Sequence, residues 1–364
     1  PTYYGVATDV RRITDFSHAH SLPVLVDEAH GPHLHFSAVL PSSALDVGAD
    51  IVVQSTHKLL GSLSQSSLLH CRRGRISAQR LETMLQLVQS SSPNYLLLAS
   101  LEAAVEQMAE AGEELVGRSV SLAEETRRRI NRISGLACFG QEKIGHPGVF
   151  GLDATKLTVT MRELGMHGND AALWLRRQGG VQAELADWRN ALFLVTLGDD
   201  EASLERLVEA LSRLAAEKAA GRQATSRSDF LLPQVAGLQM LSPREAMFSP
   251  GERMDFRRAT GRICAETVVS YPPGIPLLVP GERILPEILE YCLAVQGQGF
   301  TILGPEDPAL KTIGVVAGFG WIFYFNGGTG WRWKNHADGV VGGLAVPPRA
   351  ESSQNPGTGR YAHR

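Results

Sequence analysis

The chain has 364 residues, of which 43% are hydrophobic and 20% charged, and its 35 basic and 38 acidic residues give a formal net charge of −3. That length fits two or three domains, and the near-balanced charge gives no general pull toward nucleic acid or an anionic membrane. No apolar run reaches the roughly 18–20 residues that span a bilayer, and four cysteines without a CxxC pair make neither a disulfide framework nor a zinc ribbon, so a cytoplasmic protein with reduced thiols is expected. Pro1-Thr2-Tyr3-Tyr4 lacks the charged and apolar regions of a signal peptide, and the missing initiator Met points to a fragment.

In chain order, residues 9–20 read as a helix capped by Asp9, with Val10, Ile13 and Phe16 at helical spacing. Pro23-Val24-Leu25-Val26-Asp27 reads as a buried parallel strand ending in an acid, and Asp50-Ile51-Val52-Val53-Gln54 as a second, followed by Ser55-Thr56-His57-Lys58. Residues 66–70 suggest a third strand and 76–88 a helix. Residues 94–133 read as mostly helical, with a break expected near Gly112 or Gly117. Strands at 156–161, 181–185 and 191–197, a helix at 169–178 capped by Asn169 and an amphipathic helix at 201–219 make an α+β stretch. Residues 220–230 are polar and aperiodic, as a linker is. Residues 231–316 are Pro-rich and read as a small separate domain. Residues 317–364 hold three of the five tryptophans but show no strand or helix periodicity, so they are expected to be disordered or an out-of-frame reading.

Alternating helices and strands imply an open α/β sheet whose site lies at the carboxyl ends of the strands, where Asp27 and Ser55–Lys58 fall. Three chemistries compete for Val26-Asp27-Glu28-Ala29-His30. A nucleotide-hydrolysing Asp-Glu-Ala-His motif also needs a G-x-x-x-x-G-K-[ST] phosphate cradle, which the chain lacks. A metal site from His30, His33 and His35 has workable spacing, but turn histidines more often bond locally, and no metal is expected. The third chemistry is that of pyridoxal phosphate: a lysine to form a Schiff base, an acid against the pyridine nitrogen, and hydroxyl and imidazole donors for the phosphate. Lys58, flanked by Leu59-Leu60-Gly61, sits in an apolar setting suited to a nucleophilic amine. The chain has only six lysines (Lys58, Lys143, Lys156, Lys218, Lys311 and Lys334), the other basic residues being arginine, which cannot form a Schiff base.

The motifs Pro1-Thr2-Tyr3-Tyr4-Gly5-Val6, Val26-Asp27-Glu28-Ala29-His30-Gly31, Ser55-Thr56-His57-Lys58-Leu59, Ser64-Gln65-Ser66-Ser67, Asn94-Tyr95-Leu96-Leu97-Leu98-Ala99-Ser100-Leu101, Tyr271-Pro272-Pro273-Gly274-Ile275-Pro276 and Gly304-Pro305-Glu306-Asp307 resemble those of the Orn/Lys/Arg decarboxylases, most of all the short bacterial arginine decarboxylases of polyamine synthesis. The resemblance implies an α/β, aspartate-aminotransferase-like (fold type I) architecture. Residues 1–135 would be the C-terminal part of the cofactor-binding large domain, 136–219 an α+β small subdomain, 220–230 a linker, 231–316 the family's C-terminal α+β domain and 317–364 an unmatched tail. It implies pyridoxal 5'-phosphate on Lys58, Asp27 at the ring nitrogen, Ser55 and His57 at the phosphate, and His30 beside Asp27 with a catalytic or cofactor-binding role. It also implies a homodimer or larger assembly, an upstream segment carrying the rest of the cofactor site, and decarboxylation of arginine, lysine or ornithine. The substrate's side-chain cation calls for a carboxylate, with Glu266, Glu184 and Asp187 as candidates. An inactive fragment or pseudoenzyme of the family, and an aminotransferase or aldolase of the same fold, are the alternatives.

Overall fold

The computed structural model describes residues 1–220, 237–271, 274–297 and 301–317, with the backbone of 322–325, 330–334 and 341–345. Most of the expected linker, and Pro272-Pro273, lie outside the described residues. The chain divides into two compact units, Pro1–Ser228 and Asp229–Arg364. No helix among the described residues is long and apolar enough to cross a membrane.

The first unit begins with strand β1 (Val6–Ala7), helix α1 (Val10–Ala19) and strand β2 (Leu25–Asp27). Asp9 caps α1 by accepting from the Arg12 backbone N–H. The apolar stripe expected on α1 exists but stays in solvent: Phe16 is 64% exposed, and Thr14 is the buried residue of the helix. β2 runs parallel to β3 (Ile51–Gln54), which runs antiparallel to β4 (Leu68–Cys71). β2 is therefore an edge strand, and its run of apolar residues is not buried as expected, with Leu25 also 64% exposed. A single helical turn, α2 (Thr56–Leu59), follows β3.

Helix α3 (Ala78–Val88) is capped by Ser77, and α4 (Tyr95–Ile130) by Asn94, whose side chain accepts from the Leu96 and Leu97 N–H groups. α4 runs unbroken for 36 residues, contrary to the break expected at its glycines. Gly112 serves packing instead: a Cβ there would lie 2.6 Å from the Phe36 ring and 3.1 Å from Met108 Cε, whereas one on Gly117 would meet nothing. Helix propensity lost at two glycines is outweighed by the tertiary contacts along so long a helix.

Strands β5 (Ala137–Cys138), β6 (Gly151–Leu152) and β7 (Lys156–Thr160), helix α5 (Gly168–Trp174), strands β8 (Leu185–Ala186) and β9 (Asn190–Leu194) and helix α6 (Glu201–Ala220) complete the unit. β6 pairs with β1, and the other four form an antiparallel sheet in the order β5-β7-β9-β8. Leu157, Val159 and Phe193 of that sheet pack with Ile130 of α4 and Leu207, Leu211 and Leu214 of α6 into one core. α5 is capped by His167, not by the expected Asn169, without a side-chain cap bond, and it runs on as a π turn over Leu175–Gly179.

The second unit holds β10 (Leu238–Gln239), α7 (Pro243–Phe248), β11 (Gly251–Asp255), β12 (Val268–Tyr271), β13 (Pro276–Leu278), β14 (Glu282–Arg283), α8 (Pro286–Gly297), β15 (Thr301–Leu303) and β16 (Thr312–Val316). β11 pairs with β16, and β13-β12-β15 form a second small sheet. Its core includes Phe256, Val268, Ile284 and Val315 with Cys264 and Cys292, whose thiols burial pushes up to about 12. In the tail, β17 (Ile322–Phe325), β18 (Gly330–Lys334) and β19 (Val341–Ala345) form an antiparallel meander. This corrects the expectation of a tail without strands: Phe323 stands opposite Trp333 and Phe325 opposite Trp331, and aromatic residues favour strands even without apolar/polar alternation.

The two glycines of α4 should respond in opposite directions to the same substitution. Gly117→Ala should stabilise the first unit by about 0.5–1 kcal/mol, and Gly112→Ala should destabilise it. Urea unfolding of both variants checks this, and equal effects would show that Phe36 does not hold the helix there.

Candidate active site

The parallel pairing of β2 with β3 builds the site. Asp27 lies opposite Val53, and Glu28 N–H continues the ladder to the Val53 carbonyl at 2.9 Å. The chain then turns through Ala29–His33, while β3 runs on one residue and winds into α2, which carries His57 and Lys58. Both strands thus deliver their polar ends to the same edge of the sheet, as open α/β sheets do.

Glu28 fixes this turn. Its carboxylate is buried and accepts from Ser43 Oγ (2.7 Å), Ala44 N–H (2.7 Å) and Gln54 Nε2 (2.7 Å). With Glu28 held, His30 meets Lys58: Nζ lies 2.8 Å from His30 Nε2. Tyr3 packs against the His30 ring at 4.2 Å between centroids and a 55° tilt, and Lys58 Nζ stands 5.6 Å from the centre of the Tyr3 ring. Burial, and then the nearby Lys156 and Lys58 cations, pull the His30 imidazole down to about 3 from its ordinary 6.5. A neutral ring can accept the Lys58 proton at Nε2.

The remaining expected residues fall as follows. Asp27 is exposed at the strand end, with one oxygen accepting from Ala29 N–H at 3.0 Å and the other unbonded among the described residues. His57 is half-buried and donates through Nδ1 to the Ser66 carbonyl at 2.6 Å, which leaves Nε2 for a ligand. Ser55 is half-buried at the head of α2 and makes no side-chain cap bond. A cleft of about 930 Å³ has Asp27 and Glu28 in its wall, but Lys58 does not line it.

The three carboxylates considered for the substrate cation are placed very differently. Asp187 organises the β8–β9 turn: Oδ1 accepts from the Arg189 and Asn190 N–H groups, and Oδ2 accepts from Tyr4 OH at 2.6 Å. Glu266 belongs to the second unit, where its oxygens accept from Arg253 Nη1 (3.0 Å) and Gly314 N–H (2.9 Å). Glu184 is exposed, and its carboxylate has no hydrogen-bond partner among the described residues.

Among the described residues no group of His, Cys, Asp or Glu could hold a metal ion. His30, His33 and His35 go instead to Lys58, Asp153 and Asp46. Sequence reasoning missed Tyr3, Glu28 and a second buried group, Asp153 with Lys156. Both lysines stood out by their scarcity in an arginine-rich chain, but only Lys58 follows a strand and then Ser-Thr-His.

The residue types fit pyridoxal phosphate: Lys58 offers an amine one turn beyond β3, held by the buried His30 imidazole, and Asp27 offers a carboxylate at the end of β2. Two solved structures share the fold over 86% of the chain: the lysine decarboxylase of Francisella novicida (TM-score 0.68, 22% identical, 56% of that chain covered) and the constitutive lysine decarboxylase of Escherichia coli (TM-score 0.70, 19% identical, 57% covered). The chain therefore has the fold of these decarboxylases over most of its length. More narrowly, the chain belongs to the Orn/Lys/Arg decarboxylase family, matching its major domain over residues 1–203, more than half the chain, and its C-terminal domain over 222–302. The arginine decarboxylases of Bacillus subtilis (strain 168) and Halalkalibacterium halodurans are each 42% identical over 316 residues, which is 87% of this chain and 64% of theirs. The chain thus spans less than two thirds of the length of these relatives.

The His30 environment has a consequence for stability. The folded chain holds the ring neutral down to about pH 3, whereas the unfolded chain protonates it near 6.5. Acid therefore favours the unfolded state, and stability falls as pH drops from 6.5 toward 3. His30→Gln should show a shallower loss than the unsubstituted chain between pH 6.5 and 4 in urea midpoints, and parallel curves would show that His30 titrates normally when folded.

Proposed function

We propose that the protein of which this chain is part decarboxylates a basic amino acid with pyridoxal 5'-phosphate, arginine ahead of lysine or ornithine. The observation that carries the reading is the contact of Lys58, one turn beyond β3, with His30, which follows Asp27 at the end of the paired strand β2, in a member of this family. Arginine is favoured because the relatives at 42% identity are arginine decarboxylases.

Pyridoxal phosphate, when bound, supplies an aldehyde that a lysine amine can hold and a ring that takes up the electrons left when carbon dioxide departs. Lys58 would hold the aldehyde carbon. Asp27 would face the ring nitrogen, where its negative charge favours a proton. His57 Nε2 and the Ser55 hydroxyl would bind the phosphate. His30 accepts from Lys58 Nζ and so aims the amine, while Tyr3 covers the other side of the imidazole. Glu184 is the carboxylate left free to meet the substrate's side-chain cation, since Asp187 and Glu266 are already bonded elsewhere. The products would be carbon dioxide and an amine: agmatine from arginine, cadaverine from lysine or putrescine from ornithine.

Borohydride reduction of the chain in the presence of pyridoxal phosphate, followed by peptide mapping, tests the assignment. The pyridoxyl mass should appear on Lys58. A label on Lys143 or Lys156 instead would overturn it, and no label at all would favour a non-catalytic role for the chain.

Assembly into at least a homodimer is part of the same proposal. α3 buries none of its residues, and Leu87, Val88, Tyr95 and Leu96 around the α3–α4 connection are 74–81% exposed. Apolar residues gathered so densely on one connection mark a partner surface, and a second copy is the partner expected here. Leu87→Asp combined with Leu96→Asp should convert the assembled protein to monomer in sedimentation velocity without loss of helical circular dichroism. An unchanged sedimentation coefficient would place the interface elsewhere.

A further inference from the structure

Residues 2–6 fold into a tight turn. Gly5 N–H returns to the Thr2 carbonyl (3.0 Å), Thr2 N–H donates to the Val6 carbonyl (2.8 Å), and Thr2 Oγ1 accepts from Val6 N–H (3.2 Å). Gly5, at φ +88°, makes the sharp exit into β1, and its carbonyl accepts from Asp153 N–H at 2.8 Å. The base of the turn is thus fixed to the connection between β6 and β7. Its tip carries Tyr3 and Tyr4, both half-buried, and sends their rings to different neighbours. Tyr3 packs against His30 and stands within cation–π reach of Lys58 Nζ, so it touches both members of the 2.8 Å Lys58–His30 pair. Tyr4 OH donates to Asp187 Oδ2 at 2.6 Å, joining the tip to the β8–β9 hairpin 183 positions away in the chain.

The hairpin does not need that bond. Asp187 Oδ1 already accepts from Arg189 N–H (2.7 Å) and Asn190 N–H (2.8 Å), Oδ2 also accepts from Asn190 Nδ2 (3.0 Å), and Asp187 N–H donates to the Asn190 carbonyl (2.9 Å). Met161 N–H, just past β7, donates to the Arg189 carbonyl at 2.7 Å. His167 packs on Trp188 with the ring centroids 4.0 Å apart, and a Cβ on Gly168 would collide with the Asn190 carbonyl. The hairpin is therefore the anchor, and the Thr2–Gly5 turn is the part that is anchored. A phenylalanine at position 4 would fill the same space, so the hydroxyl adds the bond alone. A hydroxyl on a carboxylate at that distance is short and directional, suited to fixing a position.

We propose that Tyr4 and Asp187 are positioning residues for the Lys58 site: their hydrogen bond pins the tip of the Thr2–Gly5 turn to the β8–β9 hairpin and so seats the Tyr3 ring against His30 and Lys58. The amine then meets the imidazole in one arrangement. Such precision matters in a site where a misplacement of about 1 Å can cost a large factor in rate. Asp187, already spent as a partner for the substrate's cation, thereby has a part at the same site. The purpose of the device rests on reading Lys58 as the cofactor lysine, but the seating of Tyr3 does not, and it is measured without cofactor.

The experiment is NMR of the full chain carrying Tyr4→Phe, which removes the hydroxyl and keeps the ring. Magnetisation transfer between the Tyr3 and His30 rings, assigned through Tyr3→Phe and His30→Gln, should lose at least about half its intensity, because a ring freed from its seat samples other rotamers. The six lysines give six Cε signals in a sample with isotope-labelled lysine, and the one assigned to Lys58 through Lys58→Arg should shift as the Tyr3 ring leaves it. Transfer between the His167 and Trp188 rings is the control. It reports the hairpin itself and should stay as in the parent, whereas a bond that merely stabilises the hairpin would move this pair. An unchanged Tyr3–His30 transfer, an unmoved Lys58 signal, or an equal loss at His167–Trp188 overturns the proposal. None of these results would touch the borohydride label on Lys58, and absence of the label would leave the ring measurements standing.

Discussion

The candidate site depends on one buried carboxylate that does no chemistry in the proposed reaction. Glu28 lies between Asp27 and His30 in the chain, and its oxygens gather Ser43, Ala44 and Gln54. Burying a carboxylate is expensive unless every lone pair that faces the interior is met, and here three donors at 2.7 Å meet it. The result is a clamp between the turn after β2 and the last residue of β3. Asp27 is thereby left pointing out of the strand end and His30 is turned inward to Lys58. Gln54 extends the clamp, since its amide oxygen lies 3.1 Å from His70 Nε2 on β4. All three strands of the small sheet are thus tied through polar side chains at the end where the site lies.

The placing of Asp27 at the end of β2 and of Lys58 just beyond β3 was legible in the sequence for a local reason. Asp27 and Lys58 follow runs of apolar residues, and short polar segments after such runs fall at strand ends whatever the details of the sheet. The elements that departed from expectation were set by tertiary contacts. α4 passes through Gly112 because Phe36 needs the space, a long-range fact with no local signature. β2 has the composition of a buried strand and the position of an edge. α1 has an amphipathic pattern, but periodicity identifies only which residues share a face, not whether another element lies over it. The meander at 322–345 was missed for a different reason. Ile322-Phe323-Tyr324-Phe325 is a consecutive run and Trp331-Arg332-Trp333-Lys334 alternates over only four residues, so a search for sustained alternation passes over them although their strand preference is high.

The substrate candidates show the limit of composition in another form. Glu184, Asp187 and Glu266 are indistinguishable as sequence, each an acid in an α+β region. Their hydrogen bonds separate them. Asp187 is needed by its own turn and by Tyr4, whose hydroxyl burial and then that bond hold well above its usual proton affinity. Glu266 draws together Arg253, Gly314 and, through Glu306 N–H, the loop before β16. A carboxylate so occupied can recognise a ligand only by giving up folding interactions, at roughly 1–3 kcal/mol for each buried donor left unmet. Glu184 bears no such cost.

The two buried or half-buried lysines of the first unit complete the same logic from the other side. Lys58 keeps one strong contact, to a neutral imidazole. Lys156 keeps a distant one, to a carboxylate that is shared with His33, so its charge is only partly cancelled where it lies. Burial alone would raise the Asp153 carboxyl, but His33, Lys156 and the Thr155 hydroxyl together hold it well below the usual range, so it stays an anion. Because Asp153 turns Oδ1 to Thr155 and sets Oδ2 between His33 and Lys156, one buried carboxylate ties the turn after β2 to the start of β7, as Glu28 ties that turn to the end of β3.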